Sequence, residues 1–265
     1  MGDKILVFIP CYNCAAQIVR VIAQFTGEPI VGVSEILVVD NGSTDGTPDV
    51  ACRALAGQNK VPWKVVRNRE NYSLGGSHKV AFDYALQNQC THVIAIHGDD
   101  QAKVQDFVPH LRAGTHRDVD ALLGARFIRG ARLHGYGALR RSGNFVFNIL
   151  FSLFSGRIIN DMGSGLNLYG RRVIEAGDHR YAADDLTFHC FFLLTMISRE
   201  RVLKFVPIQW YESDQISNAK LLRQSWKILK LLFSYKFAPR TILDTDHSTP
   251  GRRYAFTLVG EGRVS

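Results

Sequence analysis

The chain has 265 residues, room for one large α/β domain or two small ones. With 46 % hydrophobic and 21 % charged residues it is neither a disordered nor a collagen-like chain. An excess of Lys and Arg leaves a net charge of +8, which suits an anionic partner (nucleotide, phospholipid head group or nucleic acid) without choosing among them.

Residues 5–9 form a short, fully apolar run, as a strand buried on both faces requires, and helical spacing follows over 15–25. Strand 35–39 precedes helix 44–55, and a weaker strand at 64–67 precedes helix 77–86. Strand 92–96 precedes helix 104–112, and a fifth strand is read at 121–127. This alternation predicts βαβ units and an α/β fold around a mainly parallel sheet flanked by helices. The second half reads differently. It holds an apolar helix at 143–154, a Gly-containing stretch 160–169 ending in a strand, helix 184–197, strand 202–208 and helix 219–233. Beyond Pro239 the periodicity fades, and residues 244–265 read as loop and tail. The expected division is one domain over 1–218, with halves 1–115 and 116–218, then a basic amphipathic segment 219–243 and the tail.

Five cysteines are too few and too scattered for a disulfide scaffold. Cys11 and Cys14 form a single CxxC without a second pair or histidines at zinc spacing. A redox pair is the weaker reading; free thiols in a reducing compartment are expected. The start of the chain lacks a signal-peptide layout, and no uncharged apolar run reaches the roughly 18–20 residues that span a bilayer. A cytoplasmic protein, or one peripheral to a membrane, is expected.

In an open parallel α/β sheet, ligands bind beyond the carboxyl ends of the strands. Pro10-Cys11-Tyr12-Asn13 follows the first strand, Asp40-Asn41-Gly42-Ser43-Thr44-Asp45 the second, and His97-Gly98-Asp99-Asp100-Gln101 the fourth. All three should lie on one edge of the sheet. A GxGxxG is absent from the first turn and no Gly-rich loop ends in GK[ST], which argues against a dinucleotide site and a Walker-type NTPase. A carboxylate after the second strand can accept a base N–H or a ribose hydroxyl. Carboxylates after the fourth can hold a hard divalent cation against a diphosphate. Each acidic cluster could instead be a turn that caps the next helix; their convergence on one edge favours the functional reading.

With these stretches, together with Asn71-Tyr72-Ser73-Leu74-Gly75-Gly76, the chain resembles GT-A glycosyltransferases of family 2. Gly124-Ala125-Arg126, Arg140-Arg141-Ser142 and the run from Asp161 to Tyr169 make it most similar to the polyprenyl-phosphate (dolichyl-phosphate) sugar transferases. The resemblance spans roughly residues 4–218 and implies an inverting transfer from a UDP- or GDP-linked sugar, assisted by Mg²⁺ or Mn²⁺. The acceptor it implies is a polyprenyl phosphate. By position it places Pro10, Tyr12, Asn13 and Asp40 in the nucleoside pocket and Asp99 on metal and diphosphate. It gives Gln101, with Asp100, as further metal ligands, Arg126 and Arg140 as phosphate-holding groups, and Asp184 or Asp185 as the acid of the acceptor half. Lys79 is either a further diphosphate contact or a solvated surface lysine.

The departures fall mostly on the acceptor side. His97 stands where the family has the first acid of its DxD, so that either Asp100 compensates or metal affinity falls. Asn167 replaces the Arg of the family's SGFRLY, and residues 211–218 stand where a later Arg near a Ser-Lys pair is expected. A phosphate acceptor needs no strong base, whereas transfer to a saccharide hydroxyl would require Asp185, or Asp184, as base. A nucleotide-sugar binder without turnover is the rival that His97 motivates. A nucleic-acid role rests on charge alone and ranks last. His78 reads as a hydrogen-bonded structural histidine, and Trp63 and Trp210 as packing residues. In the segment 219–233, Leu221, Leu222, Ser225, Ile228, Leu229, Leu232 and Phe233 form one stripe, with Lys220, Arg223, Lys227 and Lys230 opposite. Such a helix either packs on the sheet or lies in a membrane interface.

Overall fold

The computed structural model describes residues 2–58, 60–212 and 221–263. The 213–218 departure and the residues Ala219 and Lys220 lie outside the described residues, as do the side chains of Leu221 and Leu222. In chain order the first half runs β1 (Ile5–Cys11), α1 (Ala15–Ala23), β2 (Val33–Asp40), α2 (Thr47–Ala56), β3 (Trp63–Asn68), α3 (Ser73–Gln87) and β4 (His92–Ile96). Then come α4 (Val108–Arg112), β5 (Ala121–Ala125), β6 (Arg132–His134), α5 (Ala138–Ser155), β7 (Leu166–Gly170) and α6 (Arg171–Glu175). The chain closes with α7 (Phe188–Ser198), β8 (Leu203–Pro207), β9 (Gln209–Tyr211), α8 (Leu221–Phe237), α9 (Arg240–Leu243) and β10 (Phe256–Gly262).

The main sheet has the order β10-β3-β2-β1-β4-β7-β5-β8. Strands β1 to β4 are mutually parallel, β7 is antiparallel to both β4 and β5, and β5 pairs parallel with β8. The order 3-2-1-4 reverses direction between β1 and β4, which makes the crevice beyond their carboxyl ends the expected ligand site.

Alternation along the central strands builds a core on each face. Leu6, Phe8, Leu37, Val39, Val93 and Ala95 face a layer that includes residues of α3, α5, α7 and α8. Ile5, Val7, Ile9, Ile36, Val38, Ile94 and Ile96 face the other, with α1, α2 and α4. The expected tail is structured at its end: β10 pairs antiparallel with β3 and closes that edge of the sheet. Five residues, Ala255–Val259 in the sequence, carried its only apolar signal, too short to read without the partner strand. Among the described residues no helix is long and apolar enough to cross a membrane.

Candidate active site

A cleft of about 1090 Å³ opens at the carboxyl edge of β1 and β4. Pro10, Tyr12 and Asn13 line it from the β1 turn, and His97, Gly98, Asp99 and Gln101 from the β4 turn. The two turns are tied by the Gly98 N–H, which donates to the Pro10 carbonyl at 3.1 Å. A Cβ on Gly98 would lie 2.6 Å from Cys11 Sγ, so only glycine lets them approach this closely. Cys11 and Cys14 are buried free thiols beneath this contact. Asn13 adopts φ of 51°, and its Oδ1 accepts the Thr44 N–H at 2.8 Å, locking the β1 turn to the β2 turn.

Asp99 and Gln101 share the cleft, and burial pushes the Asp99 carboxyl above its ordinary range, partly opposed by His97. A divalent cation would favour the ionised form of such a carboxylate, and the two side chains offer hard oxygen donors, so Mg²⁺ or Mn²⁺ fits here if donor phosphates complete the shell. Asp100 does not belong to that set. With φ of 58° it turns away, and its carboxylate takes Arg20 Nε at 2.8 Å and Lys103 Nζ at 2.5 Å. It therefore does not replace the missing first acid.

The opposite wall carries charge from the second half. Arg140, at the start of α5, meets Glu212 at 2.8 Å, and both line the cleft. Asp185 lines it too, bound by Lys227 Nζ at 2.5 Å and by the N–H and hydroxyl of Thr187. Burial raises its pKa, but these bonds outweigh burial and hold the carboxyl below its ordinary range. Arg223 and Lys227 of α8 also line the cleft, whereas their helical spacing places them only on the side opposite the apolar stripe.

Other expected site residues are placed elsewhere. Asp40 is fully buried behind the wall, where it accepts the Gly42 and Ser43 N–H groups with Arg67 Nε at 3.5 Å. Lys79 is neither a diphosphate contact nor a surface lysine. It is completely buried and bonded to Asp184 Oδ1 at 2.7 Å and Tyr254 Oη at 3.0 Å. The helix α3 begins at Ser73, four residues before the expected start, so Gly75 and Gly76 are helical. Gly75 serves close packing, with its N–H donating to the Asp184 carbonyl at 2.6 Å. Asp184 also accepts from Thr249, Arg252 and Tyr254, so it belongs to a buried network that the C-terminal segment completes. Arg126 is not a cleft residue either. Its guanidinium pairs with Asp161 at 2.7 and 2.9 Å and stacks over Trp210 at 4.7 Å. This ion pair raises its pKa against the opposing effect of burial.

The helix α8 packs inward through Ile228 and Leu232. Outward it shows Trp226, Phe233 and Phe237, and α5 shows Phe145, Val146, Ile149 and Leu153. The two helices meet where Phe154 touches Phe233 at 5.3 Å between ring centroids.

The model of the family described as Glycosyl transferase family 2 matches residues 6–177. The chain belongs to this family. Among curated family relatives, a protein of Methanocaldococcus jannaschii called uncharacterized is 25 % identical over 235 residues, 88 % of this chain and 93 % of that one. A polyprenol monophosphomannose synthase of Mycolicibacterium smegmatis is 26 % identical over 191 residues, 71 % of this chain and 69 % of that one. An undecaprenyl-phosphate mannosyltransferase of Micrococcus luteus is 23 % identical over 175 residues, 66 % and 70 % of the two chains. Among solved structures, glucosyl-3-phosphoglycerate synthase of Mycobacterium tuberculosis in complex with UDP superposes with a TM-score of 0.63 at 19 % identity. That match covers 88 % of this chain and 80 % of that one. The family 2 chain thus has the GT-A fold, and it is a glycosyltransferase by family.

Proposed function

We propose that this glycosyltransferase moves a sugar from a nucleotide-diphosphate sugar to a polyprenyl phosphate, with inversion at the anomeric carbon. The observation that carries the reading is that one cleft sets an oxygen-donor floor, Asp99 with Gln101, opposite a wall on which Arg140 and Lys227 are paired with Glu212 and Asp185 and Arg223 adds a further cation. Pro10, Tyr12 and Asn13 offer the nucleoside wall, and Asp99 with Gln101 the place for the diphosphate and its cation. A bound Mg²⁺ or Mn²⁺ would neutralise charge on the departing nucleotide diphosphate. Arg140, Arg223 and Lys227 face the same space and suit a phosphate acceptor through charge-assisted hydrogen bonds.

Acceptor chemistry follows from Asp185. Its carboxylate is occupied by Lys227 and Thr187 and held at low pKa, which makes it a weak base for a saccharide hydroxyl. A phosphomonoester, with a second pKa of about 6, attacks as a dianion and needs no base. Curated relatives named for polyprenol and undecaprenyl phosphate support the same acceptor class. The exposed aromatic and aliphatic side chains of α5 and α8, interleaved on α8 with Lys230 and Lys236, suit peripheral contact with an anionic membrane surface on its cytoplasmic face. Transfer to a saccharide hydroxyl is the second reading, because Asp185 does line the cleft.

The test is nucleotide release from a panel of UDP- and GDP-sugars with Mn²⁺ or Mg²⁺, with and without a short polyprenyl phosphate. Release should require the cation, the lipid and Asp99, and vanish in Asp99→Asn. Release indifferent to the lipid would remove the proposed acceptor. Failure to bind any nucleotide sugar would remove the donor pocket as well.

A further inference from the structure

Beneath the cleft floor three imidazoles from distant parts of the chain converge. His78 lies on α3, His97 directly follows β4, and His189 is in the first turn of α7. Their ring centroids are 4.8 Å (78 to 189), 5.6 Å (97 to 189) and 6.4 Å (78 to 97) apart. One ring nitrogen of each lies within 4.8 Å of the others. Nε2 of all three is buried without a hydrogen-bond partner. Buried polar atoms in folded proteins are nearly always satisfied, so three unsatisfied imidazole nitrogens in one cluster call for a partner.

The protonation of His78 is fixed by its surroundings. Its Nδ1 lies 2.9 Å from the Leu74 carbonyl, which only accepts, so Nδ1 carries the proton and Nε2 presents a lone pair. A carbonyl behind the ring is the usual outer support of a metal-bound histidine. Space has been left for two of the rings. A Cβ on Gly165 would lie 3.0 Å from the His97 ring, and one on Gly163 would lie 3.2 Å from His189 Cβ.

We propose that His78, His97 and His189 form a three-histidine site for a borderline divalent transition metal, Zn²⁺ foremost. Imidazole nitrogens suit Zn²⁺ and its neighbours, whereas Mg²⁺ prefers the oxygens of Asp99 and Gln101. Zn–N bonds of about 2.0–2.1 Å need the three nitrogens drawn together, to about 3.4 Å in a tetrahedron, so binding would require His97 and His189 to move toward His78, which its Leu74 contact holds. The strand explains why His97 serves this site rather than the cleft cation. Val93 and Ala95 face the α3 and α7 layer, and His97 continues their parity. A cation here joins α3, the end of β4 and α7, and so fixes the height of the Gly98-Asp99 turn. Three protein ligands leave a fourth position, next to the cleft that His97 also lines.

The experiment needs neither donor nor acceptor, so it stands apart from the transferase reading. The full chain is stripped with a chelator, loaded with Zn²⁺, Co²⁺ or Mg²⁺, gel-filtered, and its metal counted. The Co²⁺ visible spectrum and the melting temperature are recorded alongside. One equivalent of Zn²⁺ or Co²⁺ should remain, with nitrogen-ligated Co²⁺ bands and a raised melting temperature, and Mg²⁺ should not. Because losing an outer-shell partner already costs about 10–100-fold in affinity, loss of a ligand should cost at least about tenfold. His78→Gln and His189→Phe should each show this, the second placing a phenyl ring among Phe188 and His78, while Asp99→Asn should retain the metal. The proposal is overturned if no Zn²⁺ or Co²⁺ is retained, as a trapped water satisfying the rings would give. It is equally overturned if retention survives both histidine variants, or is lost in Asp99→Asn alone.

Discussion

Replacing Asp185 by Asn separates the two acceptor chemistries, because the structure bounds what the change can do on its own. The side chain loses one ion pair, to Lys227, in which the partners are 45 % and 36 % exposed. A pair this open is worth at most about 1 kcal/mol. The amide oxygen can still accept the Thr187 N–H, which Asp185 Oδ1 takes at 2.9 Å. The melting temperature should therefore fall by no more than about 4 °C. With a phosphate acceptor no proton has to be removed, and a site distortion of about 1 kcal/mol costs no more than about fivefold in kcat/KM. The assay is nucleotide release with a short polyprenyl phosphate at saturating metal, wild type against variant, with both melting curves recorded. A loss of about 10²–10⁴-fold with an unchanged melting curve is what removal of a general base produces. That result would refute the argument that transfer to the phosphate needs no base from Asp185.

Other consequences are open to direct measurement. Burial raises the Asp184 pKa, but Lys79, Thr249 and Tyr254 outweigh it and bring it from 3.8 to about 2. A depressed carboxyl stabilises the fold above its unfolded pKa, so this contribution should vanish as pH falls from about 4 to about 2. Asp3 titrates over the same window, so the informative quantity in urea denaturation is the difference between wild type and Asp184→Asn, which should shrink with acid; a pH-independent difference would contradict the assignment. Gly98→Ala puts a methyl group 2.6 Å from Cys11 Sγ and should cost about 1–3 kcal/mol by overpacking. It should depress nucleotide release further by displacing Asp99, and a variant with wild-type stability and turnover would show that the turn has slack. Trp226→Ser with Phe237→Ser removes two side chains that are 71 % and 74 % exposed. Stability should stay within about 0.5 kcal/mol while co-sedimentation with anionic vesicles drops; unchanged sedimentation would take α8 off the membrane.

Much of the fold was legible because its signals are local. The runs 5–9, 36–39 and 93–96 are apolar on both faces, as central parallel strands must be, and the polar turns after them mark the carboxyl edge. Pro10, Tyr12, Asn13, Asp99, Gln101, Arg140 and Asp185 share one cleft in the structure. The structure places Lys79, Asp100 and Arg126 outside the cleft lining, and each charge has a partner remote in sequence, Asp100 with the nearby Lys103 as well. Asp184 lies 105 residues from Lys79, Arg20 lies 80 from Asp100, and Asp161 lies 35 from Arg126. A lone charged letter does not reveal whether its charge is already matched. Arg223 and Lys227 were missed as cleft residues because periodicity separates the faces of a helix without saying what each face meets.

The sequence by itself determined the α/β order of elements and the edge of the sheet at which the cleft opens, while its motifs carried the resemblance to the family. These depend on hydrophobic period and turn composition, both written within a few consecutive residues. Only the tertiary structure decided which charges face the cleft and which are buried in pairs, that 256–262 closes the sheet, and that His78, His97 and His189 meet. The physical reason is common to all three. Charge neutralisation, strand pairing and ligand convergence are made between segments far apart in the chain, and their energies depend on distance in space rather than on neighbours in sequence.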